Sequence, residues 1–422
     1  MKIHSIQGMH DILPGSVELW QKIEVATRSL FRLYGYAEVR TPILEEQELF
    51  SRSIGQETDI VQKEMYTLAG HRGKPITLRP EGTASVVRAY IEHRLDREQL
   101  LSKLYYIGPM FRRERPQKGR YRQFHQLGAE VLGSDNPAIE AEVIEMLTRL
   151  LEELGVEDVR LLLNSVGCPE CRPGYVQKLR EALEDNASSL CSECLRRMET
   201  NTLRVLDCKV PACQPIIDRL PSIQDHLCQT CTEHFAHFIE YLDLAGITYE
   251  VAPRLVRGLD YYIRTTFEII SDRLGPTQNA LLGGGRYDGL SELLNGPPTQ
   301  GFGFALGIER LVLLLSRQED LEGTYAPPEP ELFLAYPDKA TLGEALLLAR
   351  RLRQDGIFVY VDFGERSLKA QMRLANRLRA LFVCVVGEEE VDSGQFSLKR
   401  MSDGVQQKLP RDAIAEHVRQ AV

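Results

Sequence analysis

Apolar positions recur at helical spacing over residues 19–34, and the chain then changes period. After Gly35 comes a strand-like run, YAEVRTPIL, in which Pro42 marks an edge or a turn. Residues 86–93 return to helical spacing. Residues 105–111 and 123–132 alternate like two strands flanking a polar loop. Residues 136–154 form an amphipathic helix pattern and 159–166 a strand pattern. Between Cys168 and Cys231 strands become scarce, and cysteines and polar turns dominate. Strand character returns at 248–254 and 262–270. A glycine-rich turn is expected at 283–285, and a helix starts near Gly307. The prolines of TYAPPEPE, residues 324–331, read as an extended linker. Beyond it LFLAYP, a helix over 342–353, IFVYVD, a helix over 367–378 and LFVCVVG alternate strand and helix. That order predicts a separate α/β domain of about ninety residues.

Composition sharpens this picture without redirecting it. With 422 residues, 43% hydrophobic and 26% charged, the chain reads as a multi-domain globular protein. The expected division is 1–166, a cysteine-rich insertion at 167–237, a return to the first domain at 238–325, and a last domain at 326–422. The N-terminus shows no signal peptide pattern, and no apolar run approaches the ~18 residues that span a bilayer. A cytoplasmic protein with no membrane contact is the expectation, and cytosolic thiols point to metal rather than disulfides. A net charge of −9 argues against general coating of nucleic acid, so any nucleic-acid partner must be met by local patches.

One such patch is FRRERPQKGRYRQFHQLGAE, residues 111–130. It gathers Arg112, Arg113, Arg115, Lys118, Arg120 and Arg122 around a turn at residues 119–121. Guanidinium groups pair with phosphate oxygens two at a time, so a hairpin of this kind suits a nucleotide or a nucleic-acid backbone. In LRPEGTA, Glu81 and Thr83 precede a helix and can bind an amino group or cap the helix. In LVRGLDYYIRTTFE, Arg257 can neutralise charge developing on a phosphate, and Tyr261 and Tyr262 can line a pocket. LGGGRYDGL lacks the ending of a P-loop and reads as close backbone packing beside a ligand, with Tyr287 projecting. GFGFALGIERL is a glycine-spaced strand entering a helix that carries Glu309 and Arg310. His125 reads as a hydrogen-bonded structural histidine rather than a base.

In their joint order these segments resemble the class II aminoacyl-tRNA synthetases. The first helix and strand with Pro42, the arginine hairpin and GFGFALGIER are similar to motifs 1, 2 and 3. LVRGLDYYIRTTFE and GGGRYDGL look like the signature peptides of the histidyl-tRNA synthetase family. RPEGTA and the C-terminal SLKAQMRLANR resemble segments of that family too, so the likeness covers nearly the whole chain. It implies an α+β catalytic domain with an antiparallel sheet flanked by helices, and an α/β anticodon-binding domain. It implies a homodimer that makes histidyl-adenylate from histidine and ATP, with Mg2+, and passes the histidyl group to tRNA. On this resemblance Glu81, Thr83 and Gln126 would hold the α-amino group, and Tyr262 and Tyr287 would surround the imidazole. Arg112 would bind the α-phosphate, Arg120 and Arg310 the β/γ end, and Glu130 would lie near the adenine or the metal. Arg257 would be the fixed catalytic cation. The rival reading is the histidine-binding regulatory subunit of ATP phosphoribosyltransferase, a paralogue that generally lacks the last domain and parts of the ATP site.

The cysteines depart from that family's usual pattern. Cys168, Cys171, Cys191 and Cys194, then Cys208, Cys213, Cys228 and Cys231, have spacings that suit tetrahedral Zn2+. The spacing leaves their pairing open: two sequential quartets, an interleaved set, or one ion with spare thiols. An insertion so rich in polar turns is expected to bury little apolar surface and to depend on metal for folding. Its loss is then expected to harm tRNA charging before adenylate formation. Cys384 reads as a core residue.

Overall fold

The computed structural model describes residues 3–56, 58–70, 73–117, 119–275, 279–318 and 329–421. Most of the proline-rich linker, and Lys118, lie outside these. The chain divides into two units, Met1–Gly323 and Thr324–Val422.

The first unit is built on an eight-stranded sheet. In spatial order its strands are Ala37–Glu38, Ser102–Phe111, Gln123–Leu132, Gly301–Gly307, Ala280–Arg286, Ile263–Ile270, Arg160–Ser165 and Glu250–Val251. The six inner strands pair antiparallel, and the two short edge strands pair parallel. Alternation sorts the side chains between two faces. Leu127, Ala129, Val131, Phe302, Phe304, Leu306, Phe267 and Ile269 enter one apolar core. Helices Val17–Leu33 and Pro137–Glu153 cover that face with Ile23, Leu30, Phe31, Val143, Ile144, Leu147 and Leu150. The second of these starts cleanly, because the Asn136 side chain accepts the Ala138 N–H at 2.9 Å and Pro137 needs no partner for its nitrogen. The other face carries Gln126, Gly128, Glu130, Glu268, Gly303 and Ala305, and there the chemistry lies.

Three expectations change. The glycines at 283–285 form no turn: they stand within strand Ala280–Arg286, where a Cβ on Gly284 would sit 2.1 Å from the Gly303 carbonyl oxygen. Close packing of neighbouring strands, not chain reversal, requires them. The strand expected at 248–254 shrinks to Glu250–Val251, an exposed edge. The run around Pro42 splits into Ala37–Glu38 and Leu44–Glu46, which join different sheets.

The cysteine-rich segment is also more apolar inside than its composition implies. Tyr175, Leu179, Leu183, Met198, Val205 and Ile217 share one buried cluster with Tyr261, Tyr262 and Tyr287, which flank strands Ile263–Ile270 and Ala280–Arg286 of the large sheet. Short helices such as Arg172–Glu184 and Ser192–Thr200 concentrate these residues on their inner sides.

The second unit has a five-stranded sheet in the order Val359–Val361, Leu332–Ala335, Phe382–Val385, Gln395–Arg400 and Gln406–Pro410. The first three are parallel, joined through helices Lys339–Gln354 and Leu368–Arg377. The last two add an antiparallel hairpin that the strand–helix alternation does not reveal. Cys384 is fully buried here, as expected.

Candidate active site

A cavity of about 420 Å³ opens on the polar face of the large sheet. Its floor is Gly283, Ala305 and Gly307, small residues on two adjacent strands. Arg257 lies directly over Gly283, since a Cβ there would meet its guanidinium Nη1 at 2.4 Å. The cross-strand partner of Gly283 is Glu268, which forms an ion pair with Arg257. Burial opposes the charge on Arg257, and Glu268 together with Tyr262 and Tyr261 more than offsets that opposition, so its pKa is raised. Sequence reasoning did not single out Glu268. Its signal was its place at the end of the segment that carries Arg257, six residues past Tyr262 in a strand of period two.

The basic hairpin supplies a second wall. Gln117 and Arg120 close its tip through two backbone bonds of 2.9 and 3.1 Å, and Gly119 adopts φ +76°. Arg112 is fixed by a 2.9 Å bond from Nε to the Pro80 carbonyl and by stacking over Phe124. Arg120 pairs with Glu114 at 3.4 Å and remains half exposed. Arg310 reaches the same space from the first turn of helix Ile308–Gln318, donating to the carbonyls of Ala280 and Gly119. Burial and the neighbouring Arg120 push the Arg310 pKa down, so the cavity gathers cations that repel one another when no anion is bound. Arg113, Arg115 and Arg122 do not line it. Arg122 instead ties the hairpin to the Gln7 and Glu114 carbonyls.

Glu81, Thr83 and Gln126 also line the cavity. The Glu81 carboxylate accepts the Thr83 and Ala84 N–H groups at 2.7 and 2.9 Å, so it caps helix Thr83–Glu92 while still facing the cavity. The amino-binding and helix-capping readings of this residue are therefore compatible. Gln126 is buried, and its Oε1 accepts no hydrogen bond within the protein. A buried acceptor left open at a cavity wall is matched to a donor on a ligand.

Tyr261 and Tyr262 line the cavity, whereas Tyr287 and Glu130 stand behind Thr83. Glu130 accepts from Thr83 Oγ1 at 2.7 Å and Tyr287 Oη at 2.5 Å, and it is fully buried. Burial pushes its pKa up to about 8. It lies over Gly303, where a Cβ would meet its Oε2 at 1.8 Å. Glu130 thus sits with the residues expected to hold the amino acid rather than with the arginine wall. His125 bonds Glu309 at 3.1 Å and packs edge-on against Trp20, a structural arrangement.

The cavity has a further basic wall that sequence reasoning missed. Arg196, Arg197 and Arg204 of the cysteine-rich segment line it, with Asn201 between them. The signal was present: an arginine doublet immediately after Cys191-x2-Cys194 in an acidic chain.

The cysteines themselves form two groups able to hold a metal ion: Cys168, Cys171, Cys228 and Cys231, and separately Cys191, Cys194, Cys208 and Cys213. The sets are nested. The outer pairs of the segment meet each other, and the inner pairs meet each other, so sequential quartets are not what the fold assembles.

Comparison with known proteins fits this geometry. A family model described as Histidyl-tRNA synthetase matches residues 8–311, and one described as Anticodon binding domain matches residues 331–421. A histidine–tRNA ligase of Solibacter usitatus is 52% identical over 98% of this chain and 98% of its own length. One from Syntrophotalea carbinolica is 50% identical over 99% of this chain and 98% of its own. The crystal structure of the apo S. aureus histidyl-tRNA synthetase superposes with a TM-score of 0.81 at 38% identity, covering 99% of this chain and all of that one, 100%.

Proposed function

The chain belongs to the histidyl-tRNA synthetase family, and from that premise we infer that it joins histidine to its tRNA at the expense of ATP. One observation carries the residue assignment: Arg112, Arg120, Arg257 and Arg310 form one wall of a single cavity whose lining continues into a second wall of Glu81, Thr83 and Gln126. A polyphosphate fits the first wall and an α-ammonium group the second.

In the first step the histidine carboxylate attacks the α-phosphorus of ATP, and pyrophosphate leaves. Negative charge builds on the α-phosphate as this happens. Arg257, held on the glycine floor by Glu268, is the fixed cation that meets it, with Arg112 alongside. Arg120 and Arg310 take the departing β/γ end, and Mg2+ enters with ATP. In the second step a hydroxyl of the tRNA 3′-terminal adenosine attacks the adenylate carbonyl and AMP leaves. Catalysis is positioning and charge stabilisation, and no protein nucleophile is required.

Glu81 and Gln126 hold the amino group, with Thr83 linking them to Glu130. Glu130, Tyr262 and Tyr287 give the deep end its selectivity for imidazole. An amino acid lacking ring nitrogens forgoes the polar contacts that this end offers an imidazole and is rejected. The sulfur quartets of the insertion suit structural Zn2+. A second copy of the chain docks through the segment around Pro42, whose exposed Ile43 and Leu44 support a homodimer. Its use of tRNA as substrate supports the reading of a cytoplasmic protein. Among the described residues no helix is long and apolar enough to cross a membrane.

The regulatory reading is disfavoured by the anticodon-binding unit and by the assembled arginine wall. Histidine-dependent ATP–pyrophosphate exchange, followed by charging of histidine tRNA, is the test. Histidine binding without either activity would restore the regulatory reading.

A further inference from the structure

The two cysteine quartets have the dimensions of single-ion sites. Cys168 Sγ lies 3.7 Å from Cys171 Sγ and 3.8 Å from Cys228 Sγ, and Cys171 Sγ lies 3.9 Å from Cys231 Sγ. In the inner quartet Cys191 Sγ lies 3.9 Å from Cys208 Sγ. Within each quartet all four sulfurs lie within 4.8 Å of one another. A tetrahedron with Zn–S bonds of about 2.3 Å has edges of about 3.8 Å. Disulfides need sulfurs about 2 Å apart, and an iron–sulfur cluster that gives each thiolate a different iron needs a wider cage. Backbone N–H groups already point at the sulfurs: Cys168 N to Cys171 Sγ and Cys191 N to Cys213 Sγ at 3.3 Å, and Val210 N to Cys208 Sγ at 3.4 Å. Such donors stabilise thiolates. Gly167, at φ +69°, brings the chain so close that a Cβ would lie 3.0 Å from Cys171 Sγ.

Each quartet is wired to the loop that carries Arg257 and Tyr262. From the outer one, Arg172, the residue after Cys171, donates from Nη2 to the Tyr262 carbonyl at 2.5 Å and to the Gly167 carbonyl at 3.1 Å. From the inner one, the segment between Cys194 and Cys208 enters the cavity. There Asn201 Nδ2 donates to Asp260 Oδ1 at 2.7 Å, and Arg204 packs so closely on Gly258 that a Cβ there would meet its Nη1 at 2.9 Å. Both ends of that segment are cysteines of one quartet, so an ion there fixes the loop at its base.

We propose that the quartets bind two separate Zn2+ ions and that these ions clamp residues 257–262 in the geometry adenylation needs. Each ion displaces four thiol protons and leaves a tetrathiolate of net charge −2. Arg172 is the adjacent counter-charge at the outer site. Asn201 is a positioning residue: it touches no reacting atom and acts through Asp260. The role of the clamp rests on the assignment of Arg257 to adenylation, whereas the metal sites do not.

The test uses the full chain, purified without chelator from zinc-supplemented cells. Elemental analysis should give two zinc ions per chain, with Cys228→Ser and Cys191→Ser each retaining one. Should either variant fail to fold, stripping zinc from the folded wild type with a thiol reagent and chelator replaces it. Pyrophosphate exchange should then fall about 10–100-fold and recover on adding Zn2+. This departs from the sequence-based expectation that charging fails first, because Arg172, Asn201 and Arg204 reach the loop of Arg257. Asn201→Ala should keep both ions and lower the exchange kcat about tenfold while changing the KM for histidine far less. Its effect should not add to that of Asp260→Ala. Absence of zinc with eight freely reactive thiols, or iron in its place, overturns the metal sites. Full exchange by stripped, folded protein overturns the clamp. Zinc-loaded wild type with no exchange would instead sink the functional reading and leave the metal stoichiometry standing.

Discussion

The catalytic sheet and the cysteine-rich segment line the same cavity but are held by different forces. The sheet is fixed by long antiparallel ladders and by an apolar face packed under two long helices. It can therefore bury charge: Arg286, fully enclosed, pairs with Glu140, which His234 also contacts at 2.8 Å. The cysteine-rich segment has short helices, few ladders and two sulfur quartets, and it borrows part of the sheet's core. A surface that must be rigid near a phosphate can thus be built by register or by cross-links. The two constructions should fail under different insults.

The largest effect should come from the residue where the two regions meet. Arg257→Ala should lower histidine-dependent exchange by about 10³-fold or more while histidine binding changes little, as for other fixed cations on a transferring phosphate. Near-normal exchange would remove Arg257 from the chemistry and leave both walls without a shared purpose.

Next in size is the buried charge of the sheet. Arg286→Met removes the ion pair that, together with the contact from His234, holds the Glu140 pKa down against the burial that pushes it up. A loss of about 3–5 kcal/mol in chemical unfolding is expected. Chelator should not reproduce it. If zinc removal destabilised the sheet as much as this substitution, the contrast between the regions would collapse.

Glu130 offers a pH signature confined to the sheet. Its folded pKa of about 8 lies above the ordinary 4.5, so the folded protein keeps a proton that the unfolded chain gives up. Stability of the ligand-free protein should therefore fall as pH rises from about 4.5 to 8, by up to about 5 kcal/mol in total from this group. Glu130→Gln should flatten that part of the profile and raise the KM for histidine about tenfold. An unchanged profile would show that Glu130 titrates normally.

The smallest effect on exchange should follow removal of the second unit. A chain ending at Pro330 should keep exchange within about threefold while tRNA charging falls sharply, since each unit has its own core. Loss of exchange in a folded truncation would show that adenylation depends on that unit.

The sequence by itself determined what depends on local spacing. Strand Gln123–Leu132 and the helix Pro137–Glu153 were legible from period alone, because a half-buried strand and an amphipathic helix each imprint their geometry on neighbouring residues. The arginine hairpin, Glu81, Gln126 and Arg257 were legible as residue types in a recognisable order, and the cysteines as candidate metal ligands. Only the tertiary structure decided which of these meet. Gly283 to Gly285 look like a turn until a neighbouring strand occupies the space a Cβ would take. Glu130 is expected near the adenine or the metal, and the tertiary structure adds that it is bonded behind Thr83 and Tyr287. The pairing of the outer cysteines, and the bonds from Arg172 and Asn201 to the loop of Arg257, join residues about 60 to 90 positions apart. Such contacts are set by how elements pack, and packing leaves no periodic trace in the chain.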